Sequence, residues 1–283
     1  MRKLIKRNVY GDKTMIRGVL KTLFPKPYSL LKKLSIFLKY EIFYLPPIED
    51  VDIEINSFCN RKCKYCPNYN YEREKAFLNE KLFYKIIYEL KNIGFKGKIC
   101  FNMFNEPLLD LRICKFIKHI RNELPSTFIY LNTNGDFLNL SLWKELRASG
   151  LDWANVTQYD GKINANIQRL FDELNSEEKK HIGAHLLQHI NNRAGLVNNN
   201  CNRELPLKEY CPYPFDHLTV NYKGKIALCC NDYFGSVEIA DVRDKNISEI
   251  WRSKIFKLYR RKLALGDRNG LRLCDKCDVW GGQ

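Results

Sequence analysis

The sequence predicts an α/β protein built on a parallel β-sheet, and two observations support this class. Short apolar stretches alternate with amphipathic stretches of helical length from about residue 51 to residue 188. Two of the helical stretches end at Gly94 and Gly150, and glycine is a common helix terminator. Repeated strand–helix units of this length favour a parallel sheet, either open or closed into a barrel.

Five predicted strands and four predicted helices alternate along the first two thirds of the chain. The strands are 51–56, 97–104, 127–135, 151–157 and 181–188, and the helices are 78–94, 108–124, 140–150 and 164–174. The pattern changes after about residue 195, where a hairpin turning at 222–224 and a helix after Asn246 are predicted. We therefore predict a strand–helix domain, 47–199, and a small domain, 200–283.

The first 46 residues are predicted to form a basic leader, and Pro46-Pro47 marks its boundary with the rest of the chain. Residues 1–42 hold eleven Lys or Arg and two acidic residues, a large share of the net charge of +15. A solvated leader, a helix that covers the bottom of a barrel and an amphipathic helix on an anionic membrane surface all fit this pattern. No nucleic-acid recognition motif is present, and we expect no nucleic-acid partner.

The leader has no apolar run long enough for a signal peptide, and no run of 18 apolar residues occurs in the chain. We therefore expect no transmembrane helix and a cytoplasmic protein, with peripheral contact at the inner face of the membrane if the leader forms the amphipathic helix. In a cytoplasmic chain, eleven cysteines indicate metal ligation rather than disulfides.

Three cysteines lie in the stretch CNRKCKYCPN directly after the first predicted strand: Cys59, Cys63 and Cys66. A structural zinc site normally uses four ligands. Three thiolates suit a four-iron cluster that keeps one iron free for another ligand. In a parallel α/β barrel the working face lies at the carboxyl ends of the strands, where this motif falls.

The Cys-x3-Cys-x2-Cys spacing, with Tyr65 before the last cysteine, resembles the radical S-adenosylmethionine (SAM) enzymes. The resemblance implies a partial (β/α)6 TIM-like barrel with a [4Fe-4S] cluster that binds SAM. In that family SAM is cleaved to a 5′-deoxyadenosyl radical, which abstracts a hydrogen atom from the substrate. A low-potential electron donor such as a ferredoxin or flavodoxin is the implied redox partner.

Other strand ends carry segments similar to those of the family. FNMFNEPLL resembles its Gly-Gly-Glu-Pro segment, although Phe104-Asn105 replaces the two glycines. Glu106 then corresponds to the residue that faces the SAM amino group. The residues that the resemblance assigns to SAM binding are Tyr65, Asn105, Glu106, Asn132, Thr133, Asn134 and Gln158.

Four further cysteines lie in the predicted small domain: Cys211, Cys229, Cys274 and Cys277. Composition alone allows zinc or a fully ligated cluster there. The segment resembles the SPASM/twitch extension of radical SAM enzymes, which implies one auxiliary [4Fe-4S] cluster. Of the remaining cysteines, Cys100 and Cys114 are expected to pack as small apolar residues.

The single auxiliary cluster is similar to that of family members that oxidise a secondary alcohol of an aminocyclitol. The resemblance makes Arg193, in the segment NNRAG, a substrate-contacting residue. Cys230 is either a bystander next to the predicted ligand Cys229 or, like Cys201, a free thiol that returns a hydrogen atom to a substrate radical, as in epimerases of the family. His185 and His189 flank the fifth strand end as scaffold or as a general base.

The sequence therefore predicts a radical SAM oxidoreductase, a dehydrogenase or an epimerase, that acts on a sugar, aminocyclitol or similar small polyol. The substrate is free or lipid-linked, and the auxiliary cluster accepts an electron. A maturase of ribosomal peptides is the alternative within the family. A zinc-stabilised binding module is the alternative outside it, but it leaves the three cysteines after the first strand unexplained.

Overall fold

Residues 45–187, 190–199 and 203–279 are described by the computed structural model. The predicted leader helices, His189 and Cys201 lie outside these residues, and the hypotheses about them stay predictions. From residue 46 onward the described chain is one compact unit. Within the described residues no helix is long and apolar enough to span a bilayer.

An eight-stranded sheet has the strand order β5-β4-β3-β2-β1-β6-β7-β8. The six strands from β5 to β6 in this order are mutually parallel, and β7 and β8 are antiparallel additions. The predicted α/β class is confirmed. The strands are β1 Asp50–Ile53, β2 Lys98–Phe101, β3 Phe128–Thr133, β4 Trp153–Gln158, β5 Ile182–Leu186, β6 His217–Val220, β7 Lys225–Ala227 and β8 Ala240–Asp241.

Strands β6 to β8 belong to the segment predicted as a separate small domain, yet they extend the sheet of the first segment. Strand β6 pairs with β1 over its whole length, from Asp50–His217 to Ile53–Val220. The two segments thus share one continuous sheet. The division into domains at about residue 200 stays a prediction.

Seven α-helices accompany the strands within the described residues. Four of them begin at an asparagine whose side chain accepts a backbone N–H group of the first turn, as is typical of N-caps: Asn79, Asn139, Asn164 and Asn246. Gly150, in the left-handed region at φ 107°, ends the third. The helices are α1 Glu80–Asn92, α2 Ile113–Glu123, α3 Leu140–Ser149, α4 Ala165–Glu173, α5 Tyr213–Asp216, α6 Ile247–Trp251 and α7 Lys254–Ala264.

The single helix predicted after Asn246 is in fact two helices, α6 and α7. The side chain of Ser253 accepts the backbone N–H of Phe256 and so starts a new helix. A capping residue competes with helix continuation, which explains the break in a segment of continuous helical periodicity.

The two faces of the sheet differ in polarity. Phe101 of β2 stacks on Phe83 of α1, with ring centroids 6.4 Å apart, so its face carries the apolar helix layer. On the opposite face the side-chain amide of Asn155 donates to Asn132 at 2.8 Å. Because side chains alternate along a strand, each strand contributes to both faces. The polar face is where a cavity forms.

A buried ion pair joins β1 to the segment after the cysteine loop. The guanidinium of Arg73 donates to both carboxylate oxygens of Glu54, at 2.7 and 3.1 Å. Glu54 is fully buried, and the Arg73 side chain is 7% exposed. The guanidinium also lies over the ring of Tyr233, 4.7 Å from its centroid. Glu54 further accepts the backbone N–H groups of Phe104 and Tyr222.

This ion pair generates a stability prediction. Replacement of Arg73 by Leu leaves the Glu54 carboxylate buried and without its partner, and we expect the free energy of unfolding to fall by about 3–5 kcal/mol. Urea unfolding measures the change. The control is Lys91→Ala in the exposed Lys91–Glu123 pair, which should leave the unfolding midpoint unchanged. Equal midpoints for all three proteins would contradict the role assigned to the buried pair.

Candidate active site

A cavity of about 300 Å³ opens at the carboxyl ends of the parallel strands. Its described wall includes the three clustered cysteines after β1 and the polar side chains that follow β2, β3 and β4. Of the residues predicted from the sequence, those that line it are Cys59, Cys63, Cys66, Tyr65, Asn105, Glu106, Asn132, Thr133, Asn134, Arg193, Cys230 and His185.

The cysteine loop is tied to the loops after β3 and β4 by Arg61. Its guanidinium donates to both oxygens of Asp136, at 2.6 and 2.7 Å, and to Asp160 at 2.9 Å. Asn60 adds a hydrogen bond to Asp136 at 2.7 Å. These bonds span 75 to 99 residues of sequence, so they fix the loop relative to the strand ends. Bidentate arginine–carboxylate pairs are well suited to such fixing.

Tyr65 packs face to face with Tyr159 at the end of β4, with ring centroids 5.4 Å apart. Its hydroxyl donates to the Tyr159 carbonyl at 3.4 Å. The aromatic residue of the cysteine motif therefore forms part of the cavity wall and braces the loop.

Glu106 is almost fully buried, and its carboxylate accepts three internal hydrogen bonds. The Thr133 hydroxyl and the Asn134 backbone N–H donate at 2.7 and 2.8 Å, and the Leu108 N–H at 3.1 Å. Burial raises the pKa of Glu106 to about 7, against the effect of these three donors. Glu106 therefore links the ends of β2 and β3 directly.

The side-chain amides of Asn105 and Gln158 differ in their internal hydrogen bonds. The side-chain N–H₂ of Asn105 is buried without a described partner. An unsatisfied buried donor on a cavity wall is a natural contact for a bound polar group. Gln158 instead donates to the Asn134 carbonyl and accepts from the Asn164 N–H, both at 2.8 Å. It is not among the described residues of the wall, so the structure gives it a bracing position.

Arg193 lies in the loop after β5 and reaches the same cavity. Its guanidinium donates to Asn231 at 3.3 Å and lies 5.9 Å from the centroid of the Phe104 ring. The Nε atom is buried and has no described partner. The loop is held through Asn192, whose N–H donates to Asp278 at 2.8 Å and whose amide donates to the Lys276 carbonyl at 2.7 Å.

A second, smaller recess contains the other four predicted ligands. Cys211, Cys229, Cys274 and Cys277 all line it, together with apolar side chains. Burial raises the pKa of Cys211 to about 11 and raises that of Cys229 well above its usual value. All four are free thiols. The sequence grouping of seven cysteines into sets of three and four thus corresponds to two separate places in the structure.

Cys229 and Cys230 are adjacent in sequence but line different spaces. Cys229 borders the recess, and Cys230 borders the large cavity with Arg193. Tyr213 also lines the recess, and the neighbouring Cys230 together with burial raises the pKa of its hydroxyl. One peptide unit and one tyrosine therefore separate the two sites.

The donor sets fit iron–sulfur clusters. Among the described residues no three His, Cys, Asp or Glu side chains converge on a single metal ion. Each thiolate of a four-iron cluster binds a different iron, so its ligands surround a volume rather than a point. Burial raises the pKa of Cys59 to about 11, and a metal centre is the kind of partner that keeps such a thiol deprotonated.

Family models match both parts of the chain. A model of the radical SAM superfamily matches residues 53–175, and a model of the SPASM iron–sulfur cluster-binding domain matches residues 211–278. The chain is a radical SAM protein with a SPASM domain, and its cofactors are [4Fe-4S] clusters and SAM. The family, fold class and cofactors predicted from the sequence are confirmed.

The chain is also similar to individual proteins of this family. The chain is 28% identical over 233 residues to the SAM-dependent 2-deoxy-scyllo-inosamine dehydrogenase of Niallia circulans, covering 81% of this chain and 92% of that protein. The crystal structure of BtrN with AdoMet and 2-DOIA matches with a TM-score of 0.76 and 27% identity, over 82% of this chain and 93% of that one. The structure of anSMEcpe with AdoMet and a peptide has a TM-score of 0.53 and 13% identity, over 76% and 82%, and shares the fold alone.

Sequence analysis missed several residues that organise the site. Arg61, Asn192 and Tyr159 act through partners far away in sequence, which no local pattern identifies. Arg61 offered one signal, because it lies between two predicted ligands. Arg193, by contrast, was predicted through the resemblance of the NNRAG segment to the family.

The Arg61 contacts generate a prediction about iron retention. Replacement of Arg61 by Gln removes the clamp on the cysteine loop, and we expect iron affinity at the three-thiol site to fall about 10- to 100-fold. Iron release to a chelator under anaerobic conditions measures the change. Arg169→Gln, on the exposed face of α4, is the matched control. Iron held as tightly in the Arg61 variant as in this control would contradict the clamp.

Proposed function

We propose that this protein oxidises a secondary alcohol of a small polyol, an aminocyclitol or related sugar, to a ketone. One observation carries the proposal: the three-thiol site, Arg193 and a wall of amide side chains share one cavity, while the four-thiol site lies one peptide unit beyond it. This arrangement supports removal of a hydrogen atom in the cavity and removal of an electron through the adjacent site.

The relatives support the same reaction. The protein of Niallia circulans is named as a dehydrogenase of an aminocyclitol, and it aligns with most of this chain. The BtrN structure contains AdoMet together with 2-DOIA. At 27–28% identity the substrate can differ, so the proposal extends to the polyol class rather than to that one compound.

The cavity wall suits a hydroxyl-rich substrate. Asn68, Asn102 and Asn155 line it in addition to the predicted residues, and Thr157 and His185 complete the side near β5. Amide and hydroxyl groups both donate and accept hydrogen bonds, as the hydroxyl groups of a polyol require. Thr157 Oγ1 and His185 Nε2 lie 3.3 Å apart, so the imidazole is oriented by its neighbour.

Arg193 is proposed to bind the oxygen of the reacting alcohol. Its buried Nε–H has no described partner and is available to a substrate oxygen. A guanidinium hydrogen bond stabilises the negative charge that develops on this oxygen. When bound, the two clusters and SAM supply a radical that removes a hydrogen atom from the carbon and an acceptor for the remaining electron. The hydroxyl proton passes to a base, and we propose His185 for this role because its imidazole lines the cavity wall.

Epimerisation is the second candidate, and the position of Cys230 favours it specifically. Its thiol borders the cavity, where it could return a hydrogen atom to a substrate carbon. A peptide maturase has less support, because the peptide-bound anSMEcpe structure shares only the fold.

For the redox partner we propose a low-potential donor such as a ferredoxin or flavodoxin, and the net charge of +15 favours an acidic one. Membrane contact through the leader stays a hypothesis.

The products separate these functions. The reconstituted protein is incubated with SAM, a low-potential reductant and a panel of sugars, cyclitols and aminocyclitols in D₂O. Oxidation predicts a product lighter by two hydrogen atoms, without deuterium at carbon and with one SAM consumed per product. A product of unchanged connectivity that carries one deuterium, and that the Cys230→Ala variant does not form, would replace oxidation by epimerisation.

Arg193 is tested by its effect on turnover. Replacement of Arg193 by Gln removes the charged donor, and we expect kcat to fall by about 10²- to 10³-fold, as for other donors to a developing oxyanion. Arg193→Lys keeps the charge and should recover part of the loss. Steady-state product formation, at equal iron content, measures both. An unchanged kcat in Arg193→Gln would exclude the contact with the reacting oxygen.

A further inference from the structure

We propose that Arg268 is the buried counter-charge of the four-thiol site and that it increases the affinity of this site for an electron. That the electron comes from the substrate rests on the proposed oxidation. The role of Arg268 as a counter-charge rests on its position and surroundings in the structure.

Arg268 lines the recess with the four cysteines and is 1% exposed. All three of its described hydrogen bonds go to backbone carbonyls: Val279 at 2.7 Å, Cys277 at 3.2 Å and Glu209 at 3.4 Å. Two of these carbonyls lie within or beside the Cys274–Cys277 pair. The guanidinium is therefore fixed against the segment that supplies two of the ligands.

No described Asp or Glu side chain lines the recess beside Arg268. Among the described residues that line the recess, Arg268 is the one Arg, Lys, Asp or Glu. A buried charge without an opposite charge is strongly unfavourable. The four cysteines, when they bind a cluster as thiolates, supply the negative charge that Arg268 lacks.

A fixed positive charge favours whichever state of the site is more negative. Uptake of one electron adds one negative charge to the site, and no bond of the protein forms or breaks. In the dry interior this interaction is stronger than in water. Arg268 therefore favours electron uptake from the substrate radical. This step distinguishes oxidation, in which the radical loses an electron, from epimerisation, in which the radical regains a hydrogen atom.

The test measures the midpoint potential of the four-thiol site in the full chain with Cys59, Cys63 and Cys66 replaced by Ala, by redox titration with EPR detection. Arg268→Gln should weaken electron uptake about tenfold, which is a shift of about 59 mV to lower potential for one electron. Arg268→Lys keeps the charge and should keep the potential. Arg260→Gln is the matched control, because Arg260 is also buried but lies over Trp251 rather than in the recess.

An unchanged potential in Arg268→Gln with its iron retained would overturn the proposal, and so would an equal shift in Arg260→Gln. If Arg268→Gln lost its iron, Arg268→Lys would decide: a retained potential supports the proposal, and a fall of about 59 mV overturns it. The measurement needs no substrate. A failed oxidation assay with the expected potentials would therefore reject the proposed function alone.

Discussion

The buried contact between Glu54 and Arg73 is the constraint on which the rest of the structure depends. It joins β1 to the segment that follows the cysteine loop, so both ends of that loop are fixed. Through the N–H groups of Phe104 and Tyr222, the same carboxylate holds the end of β2 and the start of the β6–β7 turn. The segment that follows the three-thiol loop and the turn that leads to Cys229 both meet at Glu54, so this residue fixes one ligand of the four-thiol site relative to the three-thiol loop. Neither partner can be lost without leaving a buried charge.

The second consequence of this arrangement is that two thiol sites are close but separate. Cys229 and Cys230 lie on opposite sides of the wall between them, and Asn192 ties the loop of Arg193 to the Cys274–Cys277 segment. Under the proposed function, a substrate held by Arg193 lies next to both sites at once. The proposed oxidation needs this double positioning, since the hydrogen atom and the electron leave the substrate towards different sites.

Local patterns predicted the elements of the fold well, because periodicity, capping residues and glycines act within a few positions. The cysteine pattern and the family resemblance likewise predicted sets of three and four ligands, and the structure gathers the same thiols into two places. Contacts between distant residues were beyond such reasoning. Arg61 meets Asp136 across 75 residues, and Arg268 becomes significant only once its burial beside the thiols is known. The helix break at Ser253 was missed for a different reason, since serine is favoured at helix starts but also tolerated inside helices, so its presence alone does not predict a break.

The central claim is that the three-thiol and four-thiol sites each hold their own cluster. The most direct test is the iron and sulfide content per chain after anaerobic reconstitution, for the natural sequence and for the variant with Cys59, Cys63 and Cys66 replaced by Ala. Two four-iron clusters predict about eight irons, falling to about four in the variant. A natural chain with about four irons, all lost in the variant, would contradict the claim and leave the C-terminal thiols as a zinc site or an empty one.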